Sequence, residues 1–150
     1  MPTTKPTSTP PDLTPYTRCP ADETIGLDPL AVGFLNGRPD YPQGQAPAKF
    51  ATKLLRFCHP QLTVCTMRTI RPCPLCNETI TNIEIDGQAC ILGSAEIRVI
   101  GEEDIFAAPT LIYHYVTVHN YLPPDEFIDA VLHGPQPESA EYRALIRALR

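Results

Sequence analysis

The chain lacks any apolar run approaching the ~20 residues that a bilayer-spanning helix requires. Met1 to Pro11 lacks the apolar centre of a secretory signal. A soluble, cytoplasmic chain is therefore expected, without membrane contact. Excess positive charge is also missing: 12 Lys and Arg stand against 17 Asp and Glu, a formal net charge of −5. The only basic spacing of note is Arg143, Arg147 and Arg150 near the end. Affinity for a phosphate backbone comes mostly from Lys and Arg, so nucleic acid is disfavoured as a partner. There are no internal repeats. No His-Glu-x-x-His helix is present, which excludes that type of metalloprotease. The His-x-Glu half of a zinc deaminase signature is missing too, because His59 is followed by Pro60 and Gln61.

What is present begins with proline, of which there are 18. Met1 to Tyr16 is rich in Pro and Thr and has little to bury, so residues 1–16 read as a disordered tail. Residues 17–150 are long enough for a single domain with its own core. From Cys19 to Pro47, Pro and Gly interrupt each candidate element, and only Leu30 to Leu35 offers a short strand or turn. Ala46 to Cys58 has helical spacing in Phe50, Leu54, Leu55 and Cys58, with Pro60 as the stop. Leu62 to Ile70 reads as a short strand. After Cys76 the period changes to two. Ile83 and Ile85 alternate with Glu84, Asp86-Gly87 is a two-residue hairpin turn, and Ala89 to Leu92 returns. Ala95, Ile97 and Val99 form the next half-buried strand, and Ile105-Phe106 begins a last one. Gly101 to Asp104, with Glu102 and Glu103, is a solvated turn rather than a catalytic cluster. Three helices follow. One runs from Pro109 to His119, one from Pro123-Pro124 to His133, and one from Pro137 to Arg150.

Six cysteines without an export signal point to thiols or metal ligands rather than three disulfides. Cys73-Pro74-Leu75-Cys76 turns two thiols toward one point. His114 and His119 follow on a helix after a long insertion. These four make a tetrahedral set suited to zinc. Five positions span about 140° around an ideal helix, so the two imidazoles converge only if the helix ends near His119. Asn120, which tolerates a left-handed backbone, is the residue to end it. Four protein ligands leave no open position, so a bound Zn2+ is expected to be structural. The rival reading is a redox dithiol at Cys73 and Cys76, but such sites open a helix inside a βαβ unit, and here strand-like sequence follows. Cys58 and His59 are adjacent and poorly placed as nucleophile and base. Cys65 and Cys90 read as core thiols or substitute ligands.

The stretch from Cys73 to Leu132 resembles a group of small uncharacterised bacterial proteins. It shares with them the Cys-Pro-x-Cys knuckle and a strand like Ala95-Glu96-Ile97-Arg98-Val99. The common run then goes from Ala108-Pro109 through His114-Tyr115-Val116, His119, Tyr121 and Pro123-Pro124 to Phe127-Ile128. The resemblance supports the domain reading and implies no activity.

The expected fold is α+β: a small antiparallel β-meander with a zinc-finger-like knuckle, flanked by about four helices. The expected function is a non-enzymatic, zinc-stabilised interaction or regulatory module whose partner is another protein. A thiol-redox or metal-dependent enzyme at Cys73 and Cys76 is the second class. A nucleic-acid-binding zinc finger is the third.

Overall fold

The computed structural model describes residues 9–150. The fold is α+β. Among the described residues there are five helices and five short strands. In chain order they are α1 (Pro20–Thr24), β1 (Leu30–Ala31), α2 (Phe50–Phe57), β2 (Ile83–Ile85), β3 (Gln88–Cys90), β4 (Glu96–Ile100), β5 (Ile105–Pro109), α3 (Ile112–Val118), α4 (Asp125–His133) and α5 (Ala140–Leu149).

The centre is the hairpin β4–β5, paired antiparallel from Glu96↔Pro109 to Ile100↔Ile105. Its turn is the solvated Gly101 to Asp104, closed by Gly101 N–H on Asp104 O at 2.8 Å. β1 adds to the other edge of β5 in parallel, giving the order β1-β5-β4. Alternation along β5 separates two apolar layers. Phe106 and Ala108 join the main core, and Ala107 joins a small cluster with Tyr16, Cys19 and Ala31. Helices α2 and α4 pack on β4 on the main-core side. Edge-to-face ring pairs Phe50–Phe127, Phe106–Phe127 and Phe57–Tyr142 lock α2, α4, α5 and the sheet together. Ser139 caps α5 by accepting from Tyr142 N–H at 3.2 Å.

Asp86 and Gly87 both take positive φ, 51° and 78°, as the hairpin turn between β2 and β3 requires. That hairpin does not continue into a meander, as the period-two pattern suggests. It forms a separate two-stranded sheet. The reason lies in the backbone that follows it. Gly93 and Ser94 give their carbonyls to Arg71 and Met67, and Glu96 pairs both ways with Val64. The 64–71 segment thus occupies the edge that β3 would have used. That segment is itself no strand beyond its one bridge at Val64.

Two further differences from the sequence reading have physical causes. Pro109 does not start α3 but ends β5, where its missing N–H is tolerated. Of the 1–16 stretch read as a disordered tail, residues 1–8 lie outside the described residues, while Asp12 to Tyr16 docks. Leu13 N–H donates to Ala31 O at 2.7 Å, Ala31 N–H to Thr14 O at 2.8 Å, and Tyr16 stacks on Phe34. The hydroxyl of Tyr121 donates to Asp12 at 2.7 Å. The one proline in this stretch, Pro15, does not prevent docking, because Leu13, Thr14 and Tyr16 around it supply the backbone groups. No helix of the described residues is long and apolar enough to cross a membrane.

Candidate metal centre

The cysteine turn is fixed by its own backbone. Cys73 N–H donates to Glu78 O at 2.9 Å and Asn77 N–H to Cys73 O at 2.7 Å, with Asn77 in the left-handed region at φ 62°. Leu75 N–H points at Cys73 Sγ at 3.3 Å. Such backbone donors favour the thiolate, whereas burial acts oppositely and prevails, leaving the Cys73 thiol raised above its usual value. Gly37 lies against this turn. With φ 88°, it brings its backbone so close that a Cβ there would stand 3.0 Å from Pro74 O.

Helix α3 supplies the imidazoles. His114 is buried within it, and His119 is its C-terminal cap, with Asn120 following at φ 57°. The helix therefore ends where convergence of the two rings requires. Tyr115 O takes both His119 N–H at 3.0 Å and Tyr121 N–H at 3.1 Å. A strap from Tyr41 to Gly44 holds this end from outside. Tyr41 hydroxyl donates to His119 O at 2.8 Å, Gly44 N–H to Asn120 O at 3.0 Å, and Leu122 N–H to Pro42 O at 2.9 Å. Nothing in the spacing of the irregular 19–47 region marked that role.

The four side chains meet. Cys73 Sγ is 3.5 Å from His119 Nε2, and Cys76 Sγ is 3.5 Å from His114 Nε2. The two rings lie edge to face, centroids 5.0 Å apart. All four donor atoms fall within 4.8 Å of one another, close enough to hold one metal ion. Burial, then the neighbouring His119, keeps the His114 imidazole below its ordinary value, with Glu78 pulling the other way. A neutral imidazole is the form that ligates.

The other residues of chemical interest do not join this group. Cys58 is buried, its thiol pushed up to about 12 by desolvation, and it contacts the carbonyls of Leu54 and Thr110. His59 turns its Nδ1 to Gln61 N–H at 3.1 Å, so the adjacent pair makes no nucleophile and base. Cys90 is buried and faces Gln88 O. Glu102, Glu103 and Asp104 are exposed. Cys65 is half-buried and does not join the knuckle ligands: with Cys19 and Glu96 it forms a second group within 4.8 Å. No sequence signal marked that group, because its members come from three distant segments.

The fold and this site together define a small α+β domain organised round a Cys2His2 cluster. The chain belongs to the family described as Domain of unknown function (DUF7919), which matches residues 8–132. The matched stretch includes the docked N-terminal segment and the whole cluster, and stops before α5. No curated protein and no solved structure matches the chain.

Proposed function

We propose that the chain is a non-enzymatic interaction or regulatory module of the cytoplasm. In this reading Cys73, Cys76, His114 and His119 hold one structural Zn2+, and the partner is another protein. One observation carries the metal part. A tetrahedral ion with Zn–S near 2.3 Å and Zn–N near 2.0–2.1 Å puts sulfur and nitrogen about 3.5 Å apart. Two of the four S···N separations, Cys73 to His119 and Cys76 to His114, are 3.5 Å, and the others lie within 4.8 Å. The cluster clamps the turn after the 64–71 segment to the end of α3, so binding free energy is folding free energy.

Four protein ligands fill a tetrahedron and leave no position for water or substrate, which favours a structural role. The dithiol alternative is weaker, since no helix begins at Cys76 and each thiol faces an imidazole. A nucleic-acid finger is weaker again at a net charge of −5.

Elemental analysis of the purified chain tests the reading. One equivalent of zinc is expected, with a lower melting temperature of the whole domain when a chelator removes it. Fully folded, zinc-free protein with Cys73 and Cys76 reduced or disulfide-bonded overturns it and promotes the redox reading. Submicromolar nucleic-acid binding that weakens steeply with salt would promote the third class.

A further inference from the structure

Cys19 and Cys65 stand apart from the metal centre. Cys19 precedes α1 as its N-cap and is buried; Cys65 is half-buried on the segment that pairs with β4. Their sulfurs and a Glu96 oxygen lie within 4.8 Å of one another. Cys65 sits at φ 54°, in the left-handed region that residues with a Cβ adopt rarely. It is held there by the Val64–Glu96 pairing before it and by Met67 N–H on Ser94 O at 2.7 Å after it. It also lines a cavity of about 410 Å³ with Tyr16, Phe34, Met67 and Leu111.

A metal ion fits this group poorly. One Glu96 oxygen accepts the Tyr16 hydroxyl, and the other lies 3.0 Å from Arg98 Nη2, an ion pair without hydrogen-bond geometry. The guanidinium repels a divalent cation at the same place. What remains is a pair of neighbouring thiols, one of them strained and open to a cavity.

We propose that Cys19 and Cys65 are a redox-responsive pair that closes to a disulfide by exchange with an oxidised small-molecule disulfide. The Cys65 thiolate attacks one sulfur of RS–SR, forming Cys65–S–SR and expelling RS⁻. The Cys19 thiolate then attacks the Cys65 sulfur, forming the Cys19–Cys65 bond and expelling the second RS⁻. Two thiol protons end on two RSH, and two electrons pass from the protein to the reagent. Burial, Cys19 and Glu96 together hold the Cys65 thiol above its usual value, so closure is slow near neutrality and quickens as pH rises. The bond staples the N-terminal segment to the segment flanking β4 and restricts the unfolded chain.

The test uses the full chain with its zinc, equilibrated with oxidised glutathione at mildly alkaline pH, then alkylated and peptide-mapped. The expected product has lost two hydrogens, links Cys19 to Cys65, and melts several degrees higher until reductant is added. Cys19→Ser should stop at the mixed disulfide on Cys65 with no gain in melting temperature. Mapping of the unsubstituted chain decides the matter even if that variant folds poorly. Recovery of both thiols alkylated after equilibration, or disulfides only elsewhere, overturns the proposal. So does a second equivalent of zinc that is lost on Cys19→Ser.

Discussion

Arg98 on β4 donates to both carboxylate oxygens of Asp22 on α1, Nε to Oδ1 at 3.0 Å and Nη2 to Oδ2 at 2.7 Å. The guanidinium is fully buried and the carboxylate nearly so. The Arg98 Cζ also lies over the Tyr16 ring, 5.6 Å from its centre. The pair fastens the N-terminal segment to the central sheet, and Tyr142 hydroxyl on Arg98 O fastens α5 to the same residue's backbone.

Replacing Asp22 by Ala strands a cation away from water, with Glu96 as its remaining anionic contact. A loss of about 3–5 kcal/mol is expected, the range for breaking a buried pair by removing one partner. Urea denaturation of Asp22→Ala measures it. A loss under about 1 kcal/mol, the level of an exposed pair, would show that the N-terminal segment is not docked in solution.

Gly93 carries the second prediction. At φ 105° it lies in the region closed to L side chains, and a Cβ there would stand 2.4 Å from Arg71 O. Backbone cannot yield as a flexible side chain can. Gly93→Ala is expected to cost roughly 2–4 kcal/mol and to displace the 71–73 backbone that leads into the cysteine turn. Zinc titration alongside denaturation checks both parts, and unchanged stability would contradict the close approach.

How much of this was legible in the sequence depended on the distance over which each feature is encoded. The four-residue cysteine turn, the Asp86-Gly87 hairpin and the apolar stripes of α4 and α5 are local, and each lies where its pattern places it. The stop of α3 at His119 was legible for the same reason, through Asn120. Features made by distant partners were not. Neither Asp22 nor Arg98 announces a buried pair, since an isolated Asp or Arg reads as surface. The short strand or turn read over Leu30 to Leu35 narrows to the two residues of β1, whose extent is set by β5 and the 13–16 segment that flank it. Tyr16 sits in tail-like composition, yet it is buried against Phe34 and Glu96. The split of the meander depends on which segment reaches the β4 edge first, a competition that alternation alone does not encode.

Acid should destabilise the metal-free chain. His114 has its folded pKa lowered, by burial first and His119 next. The unfolded chain therefore takes up a proton near 6.5, while the folded chain resists until lower pH. The stabilising contribution is full above that value and is lost as pH falls through it toward the folded value. Thermal melts of chelator-treated protein between about pH 7.5 and 5 should show this fall, and His114→Gln should flatten it. A melting temperature that rises on acidification over this window would give the opposite sign and refute the burial argument.

Substitution of the cluster separates ligands from bystanders. Cys76 and His119 come from different elements, the turn and the end of α3, and each faces a partner of the other type at 3.5 Å. Cys76→Ser removes a thiolate, and His119→Ala removes an imidazole. Either leaves three ligands and an open position, which weakens a structural site and uncouples the turn from the helix. Both variants should lose stoichiometric zinc and show the turn, the β2–β3 hairpin and α3 opening together in hydrogen exchange. Cys90→Ala, buried at the end of β3 but outside the cluster, should keep one zinc and cost only packing. The strap adds a finer contrast. Tyr41→Phe removes the hydroxyl that holds His119 O without touching a ligand atom. It should retain zinc at full occupancy while raising the rate at which a chelator extracts it. If His114 and His119 variants keep their zinc, the ion sits elsewhere, and the cysteines of the turn have recruited other donors.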